Sequence, residues 1–207
     1  SGWPEYFPFA LPSHWRASAR TISMSTNFKL KRDSTALLVI DVQERLFPHV
    51  EHSCELMQTI MKVVKGFKIL KLPIYVTEQY PQGLGATVPN LKACLGEAPT
   101  CFVKTAFSCM DDSQIRKTFT QSAQQFVLVG IEAHVCVLQT AKDLLAEGKQ
   151  VVVLNDGISS RSIYDYSTAI AELRDCGARV TSAETILFEL LRDSQASEFK
   201  EISQLIK

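Results

Sequence analysis

The feature that most limits how this chain can fold is a short run at residues 36–41 (ALLVID), apolar without a break until its final acid. A strand with one wet face alternates apolar and polar residues. An unbroken apolar run of this length reads instead as a strand covered on both faces. Similar runs recur at 73–77, 101–104, 126–130, 151–155 and 179–182. Between the first two, Leu56, Ile60, Met61, Val63, Val64, Phe67 and Leu70 recur at helical spacing. Residues 135–147 read as a helix stopped by Gly148, and residues 166–174 as another stopped by Gly177. Residues 183–191 and 198–206 are the last helices, and the Gly/Pro-rich stretch around 80–90 reads as a loop. Strands alternating with helices predict βαβ units, hence an α/β fold around a parallel sheet.

Composition narrows the function classes. The 207 residues are 46% hydrophobic and 21% charged, enough for one large core without staples. Lys plus Arg total 22 and Asp plus Glu total 22, so no basic field exists to hold nucleic acid or an anionic membrane. No apolar run approaches the length of a membrane span. The expected partner is therefore a small molecule, with no nucleic acid and no membrane. The six cysteines (54, 94, 101, 109, 136 and 176) lack C-x-x-C spacing. They read as free thiols in a reducing compartment, all but one of them small buried hydrophobes. The expected address is cytoplasmic.

Residues 1–34 differ from the rest and are read as an amino-terminal extension to a domain at 35–207. Residues 1–30 carry Trp3, Trp15, three prolines and no apolar periodicity. The Ser-Gly start resembles a tag remnant, and Met24 an internal start. Residues 16–25 are basic, Ser-rich and free of acids, as transit peptides are, but short; a variable or appended tail is the favoured reading, with a mitochondrial address the alternative if the tail is native.

On parallel sheets, chemistry gathers at the carboxyl ends of strands. That rule selects Asp41, Lys104, the connection 130–136 (GIEAHVC) and Asp156. Each also has a plain structural reading, Asp41 as a turn or cap and Cys136 as a small buried side chain. Together they make a nucleophilic set without histidine. Cys136 stands at a helix start, where the dipole and a nearby Lys104 would favour thiolate, and Asp41 can take the thiol proton. His134 is read as facing away from Cys136, Asp156 as orienting a loop or capping Ser159, and Arg161 and Asp165 as an ion pair or subunit contact. Neither G-x-G-x-x-G nor the G-x-x-x-x-G-K-[ST] phosphate loop is present, so no nucleotide cofactor is expected.

The segments 38–43 (LVIDVQ), 103–104 and 130–136, with 77–85 (TEQYPQGLG), 159–162 (SSRS) and 199–202 (FKEI), resemble the isochorismatase-like cysteine hydrolases, above all the isochorismatase-domain-containing group. The resemblance runs from about Thr35 to Lys207. It implies a three-layer α/β/α sandwich with a six-stranded parallel sheet. It also implies Asp41 as base, Lys104 as electrostatic partner and Cys136 as nucleophile. A cis peptide between Ile131 and Glu132 is implied, turning the backbone amides of Glu132 and Cys136 into an oxyanion hole. A homo-oligomer, dimer or larger, is expected as well.

Departures refine the substrate. Metal-binding relatives carry Asp-x-His where this chain has 77–80 (TEQY), so no metal is expected. An aromatic that packs on nicotinamide in relatives falls near Leu46 here, which speaks against a nicotinamidase. Isochorismatases proper lack the cysteine. Gln79 and Tyr80, on the same rim, are weak candidates for the substrate pocket beside Leu46. The expected function is a cysteine hydrolase acting on a small amide-type carbon–nitrogen substrate through a covalent acyl-enzyme and without a cofactor. The alternative is a binding, scaffold or redox-sensing protein on the same fold, with sulfenic-acid chemistry at Cys136 a minor variant.

Overall fold

The apolar runs become the strands of one sheet. In a computed structural model that describes residues 26–207, β1 (Thr35–Ile40) is buried at all six positions. Leu37 and Val39 pack into one apolar cluster, while Ala36, Leu38 and Ile40 pack into another. A strand pressed between two helix layers has little place for an unpaired polar side chain, which is why residues 36–40 are apolar and the Thr35 hydroxyl donates to the Lys31 carbonyl at 2.6 Å.

The other strands are β2 (Ile74–Gln79), β3 (Thr100–Lys104), β4 (Gln125–Ile131), β5 (Gln150–Ser159) and β6 (Arg179–Thr181). Their order is β3-β2-β1-β4-β5-β6, and every pair is parallel. On one face lie α1 (Ser53–Ile69), α7 (Ala183–Leu191) and α8 (Phe199–Ile206), whose Ile60, Ile186 and Ile202 meet the sheet's first cluster. On the other lie α4 (Ser113–Ser122), α5 (Leu138–Ala146) and α6 (Ile163–Asp175), whose Phe119, Ala141 and Leu173 meet the second. The result is the three-layer α/β/α sandwich. From β1 the chain winds outward through β2 and β3. It then returns to β4, beside β1, and winds the other way. The carboxyl ends of β1 and β4 therefore frame the point where the winding reverses, which on open parallel sheets is where ligands bind.

Four expectations need correction. Helix α4 is absent from the sequence reading, because only Ile115 and Phe119 are buried along it and one i, i+4 pair leaves little periodic signal. The stretch expected to be a loop holds two short helices, α2 (Pro81–Leu84) and α3 (Pro89–Leu95), each with proline in its first turn. Strand β5 runs on to Ser159 through a bulge, since Leu128 pairs with Val153 but Gly130 with Ile158. The cysteines are not mainly buried: Cys109 and Cys136 are, Cys94 and Cys176 are half-buried, and Cys54 and Cys101 are exposed.

The readings of a tag remnant, a start at Met24 and a targeting segment fall almost wholly on residues 1–25, outside the described residues. Closer to β1, Leu30 is fully buried, and the Lys31 amide donates to Gln125 Oε1 at 2.7 Å. No helix among the described residues is long and apolar enough to cross a membrane.

Candidate active site

The site is assembled by close backbone approach. Gly130, at φ +123°, lies so near the end of β1 that a Cβ there would sit 2.0 Å from the Ile40 carbonyl oxygen. Only glycine fits such a position. The approach sets the connection after β4 against Asp41, the residue immediately beyond β1. Asp41 itself takes a left-handed conformation (φ +51°), which aspartate tolerates better than most residues. Its amide still donates to the Thr77 carbonyl at 3.1 Å, so the turn stays tied to β2.

The Asp41 carboxylate is buried and fully engaged. Oδ1 accepts from the Thr77 hydroxyl at 2.7 Å, and Oδ2 accepts from Lys104 Nζ at 2.8 Å. Lys104, at the end of β3, is buried with it. Its ammonium also reaches Gln79 Oε1 at 2.7 Å and the carbonyls of Ala106 and Phe107 at 3.0 and 3.1 Å. Burial alone would pull the Lys104 ammonium down. Asp41, with the Cys109 and Cys136 sulfurs, more than reverses that and holds it above the ordinary lysine value.

Cys136 lies in a π-helical turn (Ala133–Val137) that runs into α5. It is 6% exposed and close enough to Asp41 and Lys104 to feel both charges. Burial, then the Asp41 charge, pushes this thiol well above the ordinary thiol range in spite of Lys104. The expected thiolate at a helix start is thus corrected. The sulfur is desolvated and beside a carboxylate, and these outweigh the ammonium. The direction of that shift favours the neutral thiol at rest, beside the Asp41 carboxylate. The Ile131–Glu132 peptide is cis.

Two neighbours escape sequence reasoning. Thr77 reads as a strand end and the start of a family-like segment, with no role of its own, yet its hydroxyl donates to the Asp41 carboxylate. Cys109 is fully buried close enough to feel Lys104 and Asp41, and burial pushes its thiol up to about 11. Its amide donates at 2.9 Å to the hydroxyl of Thr140, one helical turn beyond Cys136. No sequence signal marks Cys109 beyond its place after β3; the topology alone brings it here.

The weaker candidates fare differently. Gln79 serves the ammonium: its Oε1 accepts from Lys104, its Nε2 donates to the Thr105 carbonyl at 2.6 Å, and its backbone is clasped by the buried side chain of Gln43. Tyr80 is 55% exposed on the rim and begins α2. Leu46 packs against the cluster of the α1 face. His134 bonds Ser160 Oγ through Nδ1 at 2.8 Å and lies 3.8 Å from Asp165, on the β5 side. Arg161 pairs not with Asp165 but with Glu132, at 3.1 Å.

Asp156 does not join the other strand-end acids. The β5 bulge carries it to the α1 face. There it accepts from the Ala183 amide at 3.0 Å, capping α7 rather than Ser159, and lines a cavity of about 340 Å³ with Glu51, His52, Glu55 and Tyr166. Within residues 77–80, Glu78 accepts from the Thr87 amide and hydroxyl at 2.8 and 2.7 Å. Among the described residues no group of three or more His, Cys, Asp or Glu is arranged to hold a metal ion.

Comparison with known proteins agrees with this architecture. The isochorismatase domain model matches residues 35–185. Isochorismatase domain-containing protein 2A of Mus musculus is 38% identical over 175 residues, 84% of each chain. The solved structure named MAR1 ribonuclease from Caenorhabditis elegans superposes with a TM-score of 0.82 at 40% identity, covering 86% of this chain and 92% of that one. The product of the ycaC gene of Escherichia coli, described as an octameric hydrolase of unknown specificity, shares the fold with a TM-score of 0.80 at 22% identity, over 86% of this chain and 89% of its own. With a family model spanning most of the sheet and relatives alike over most of their length, the chain belongs to the isochorismatase family.

Proposed function

We propose that this chain is a cysteine hydrolase that cleaves a small amide-type carbon–nitrogen substrate through a covalent acyl-enzyme, without a metal or cofactor. Membership of the isochorismatase family supports the hydrolase role. One observation supports the finer reading: the Asp41 carboxylate and the Lys104 ammonium are paired and buried, 2.8 Å apart, and the buried Cys136 thiol lies within reach of both charges at the reversal point of the sheet.

The chemistry follows from those contacts. Asp41 takes the thiol proton as the sulfur attacks the substrate carbonyl, so the carbon–sulfur bond forms without a standing thiolate. The backbone amides of Glu132 and Cys136 receive the oxyanion. The proton passes from Asp41 to the leaving nitrogen as the carbon–nitrogen bond breaks. Water, deprotonated by Asp41, then attacks the thioester and releases the acid and the thiol. Lys104 keeps the carboxylate in place and balances its charge in the dry site. Part of this reading is a homo-oligomer whose contact uses the exposed Ile163 and Tyr164 at the start of α6. Light scattering of wild type and of Tyr164→Glu tests that part.

The test is ammonia release from a panel of small amides, with acid quench and mass spectrometry of the peptide carrying Cys136. An acyl adduct there, and loss of turnover by about 10³-fold or more in Cys136→Ala, is expected. Turnover that survives Cys136→Ala, or cleavage of RNA in place of any amide, overturns the reading. A second reading, a binding or redox-sensing protein, is favoured by the raised thiol. It predicts no turnover on any amide and a Cys136 reactivity that rises in Asp41→Asn, as the loss of a fixed charge requires.

A further inference from the structure

Glu132 presents an electrostatic problem that the proposed chemistry leaves open. It is 6% exposed, yet it is a carboxylate on the short connection that carries Cys136. An unpaired negative charge buried there opposes both the thiolate and the oxyanion, the two anionic states of the reaction. Stability does not call for it, because a buried carboxylate costs more in lost hydration than a neutral residue would.

The answer lies one strand away. Glu132 Oε2 accepts from the Arg161 backbone amide at 3.0 Å and from Arg161 Nε at 3.1 Å. The loop bearing Arg161 is itself fixed. The Glu51 amide donates to the Ser160 carbonyl at 2.9 Å, and the Ser159 hydroxyl donates to the Glu51 carbonyl at 2.7 Å. Arg161 is otherwise open to solvent, its side chain 61% exposed. The two bonds hold one carboxylate oxygen from the side of β5, while Asp41 and Lys104 approach the connection from the side of β1.

We propose that Arg161 is a positioning residue for the Cys136 site: by gripping Glu132 it fixes the residue whose amide faces the oxyanion and cancels the one negative charge on that connection. The proposal rests on the reading of Cys136 as nucleophile. It also fits the site to substrates and reagents that carry negative charge, which an unmasked Glu132 would repel.

Alkylation of Cys136 by iodoacetamide, which is neutral, and by iodoacetate, which is anionic, reads that charge directly. In each reaction the carbon–sulfur bond forms, iodide leaves and the thiol proton goes to Asp41 and then to solvent. Rates are followed at the Cys136 peptide by mass spectrometry, with exposed Cys54 in the same sample as internal reference. Arg161→Gln is expected to lower the iodoacetate-to-iodoacetamide ratio at Cys136 about tenfold, the effect of one uncompensated charge on the connection that carries Cys136. Arg161→Lys, which keeps the charge and the fold, is expected to lower it about twofold to threefold. With Glu132→Gln already present the untethered Arg161 side chain is solvated and screened, so Arg161→Gln is expected to lower the ratio by less than it does beside the carboxylate, and that background also refolds any chain that the stranded carboxylate unfolds. A ratio unchanged in Arg161→Gln and Arg161→Lys, or a fall just as large without the Glu132 charge, overturns the role of Arg161 alone. A wild-type Cys136 that resists both reagents overturns the nucleophile reading, and this inference with it.

Discussion

Replacing Lys104 by methionine removes one charge from the driest part of the site and little else. Methionine fills nearly the same volume, so the cavity term is small. The electrostatic term is not. The ammonium lies 2.8 Å from Asp41 Oδ2, with the two side chains 0% and 1% exposed. It also satisfies Gln79 Oε1 and the carbonyls of Ala106 and Phe107. Removing one member of such a pair strands a buried charge, at a cost of about 3–5 kcal/mol. Asp41 keeps the Thr77 hydroxyl, which favours the lower half of that range. For a chain of this size the loss corresponds to a melting point lower by about 10 °C. Urea unfolding followed by far-ultraviolet circular dichroism reads it. Adding Asp41→Asn should recover part of the loss, because the stranded charge is then gone. A loss under about 1 kcal/mol, or a double variant whose loss is the plain sum of the two, would refute the view that these groups form one buried unit.

Other perturbations draw on the same geometry. Cys109 is raised to about 11, and Cys136 is raised as well. Folded-state stability is therefore fully present below the ordinary thiol range and declines as pH climbs toward 11, by about 1.4 kcal/mol per pH unit for each thiol that ionises only on unfolding. Unfolding curves from pH 8 to 11 should show the slope, and Cys109→Ala should flatten it; an equal slope in that variant contradicts the assignment. Gly130→Ala places a methyl 2.0 Å from the Ile40 carbonyl oxygen, so purified protein should melt at least about 10 °C lower or fail to fold. A melting point within a degree or two of wild type would show that β4 does not press on β1 as described. Asp156→Ala removes the cap at Ala183 and should cost about 1–2 kcal/mol in urea unfolding without changing Cys136 alkylation.

The sheet is legible in the sequence because burial on both faces leaves a local mark. Residues 36–41 could belong only to a covered strand, and Leu37 and Leu38 indeed face opposite layers. Helix α4 leaves almost no such mark, since it touches the core through Ile115 and Phe119 alone. Of the site, Asp41, Lys104 and Cys136 come from a positional rule, that chemistry sits at strand ends. The same rule misplaces Asp156, because a bulge in β5 turns that residue to the opposite layer and no residue in the run announces the extra length. Thr77 and Cys109 escape it for a related reason. Their importance lies in what the strand order 3-2-1-4-5-6 sets beside them, and strand order is not written in any local pattern. The direction of the Cys136 shift is misjudged likewise, since a helix start can be read from sequence but the dryness around it cannot.

The sharpest test of the central claim is the rate at which Cys136 reacts with iodoacetamide at neutral pH, relative to Cys54 in the same tube, before and after Asp41→Asn. Asp41's charge raises the thiol, so if the carboxylate acted only as a fixed charge its removal would speed the reaction. A carboxylate that removes the proton during attack gives the opposite sign, and the account predicts a Cys136-to-Cys54 ratio at least about tenfold lower in the variant. A ratio that stays level or rises would contradict it.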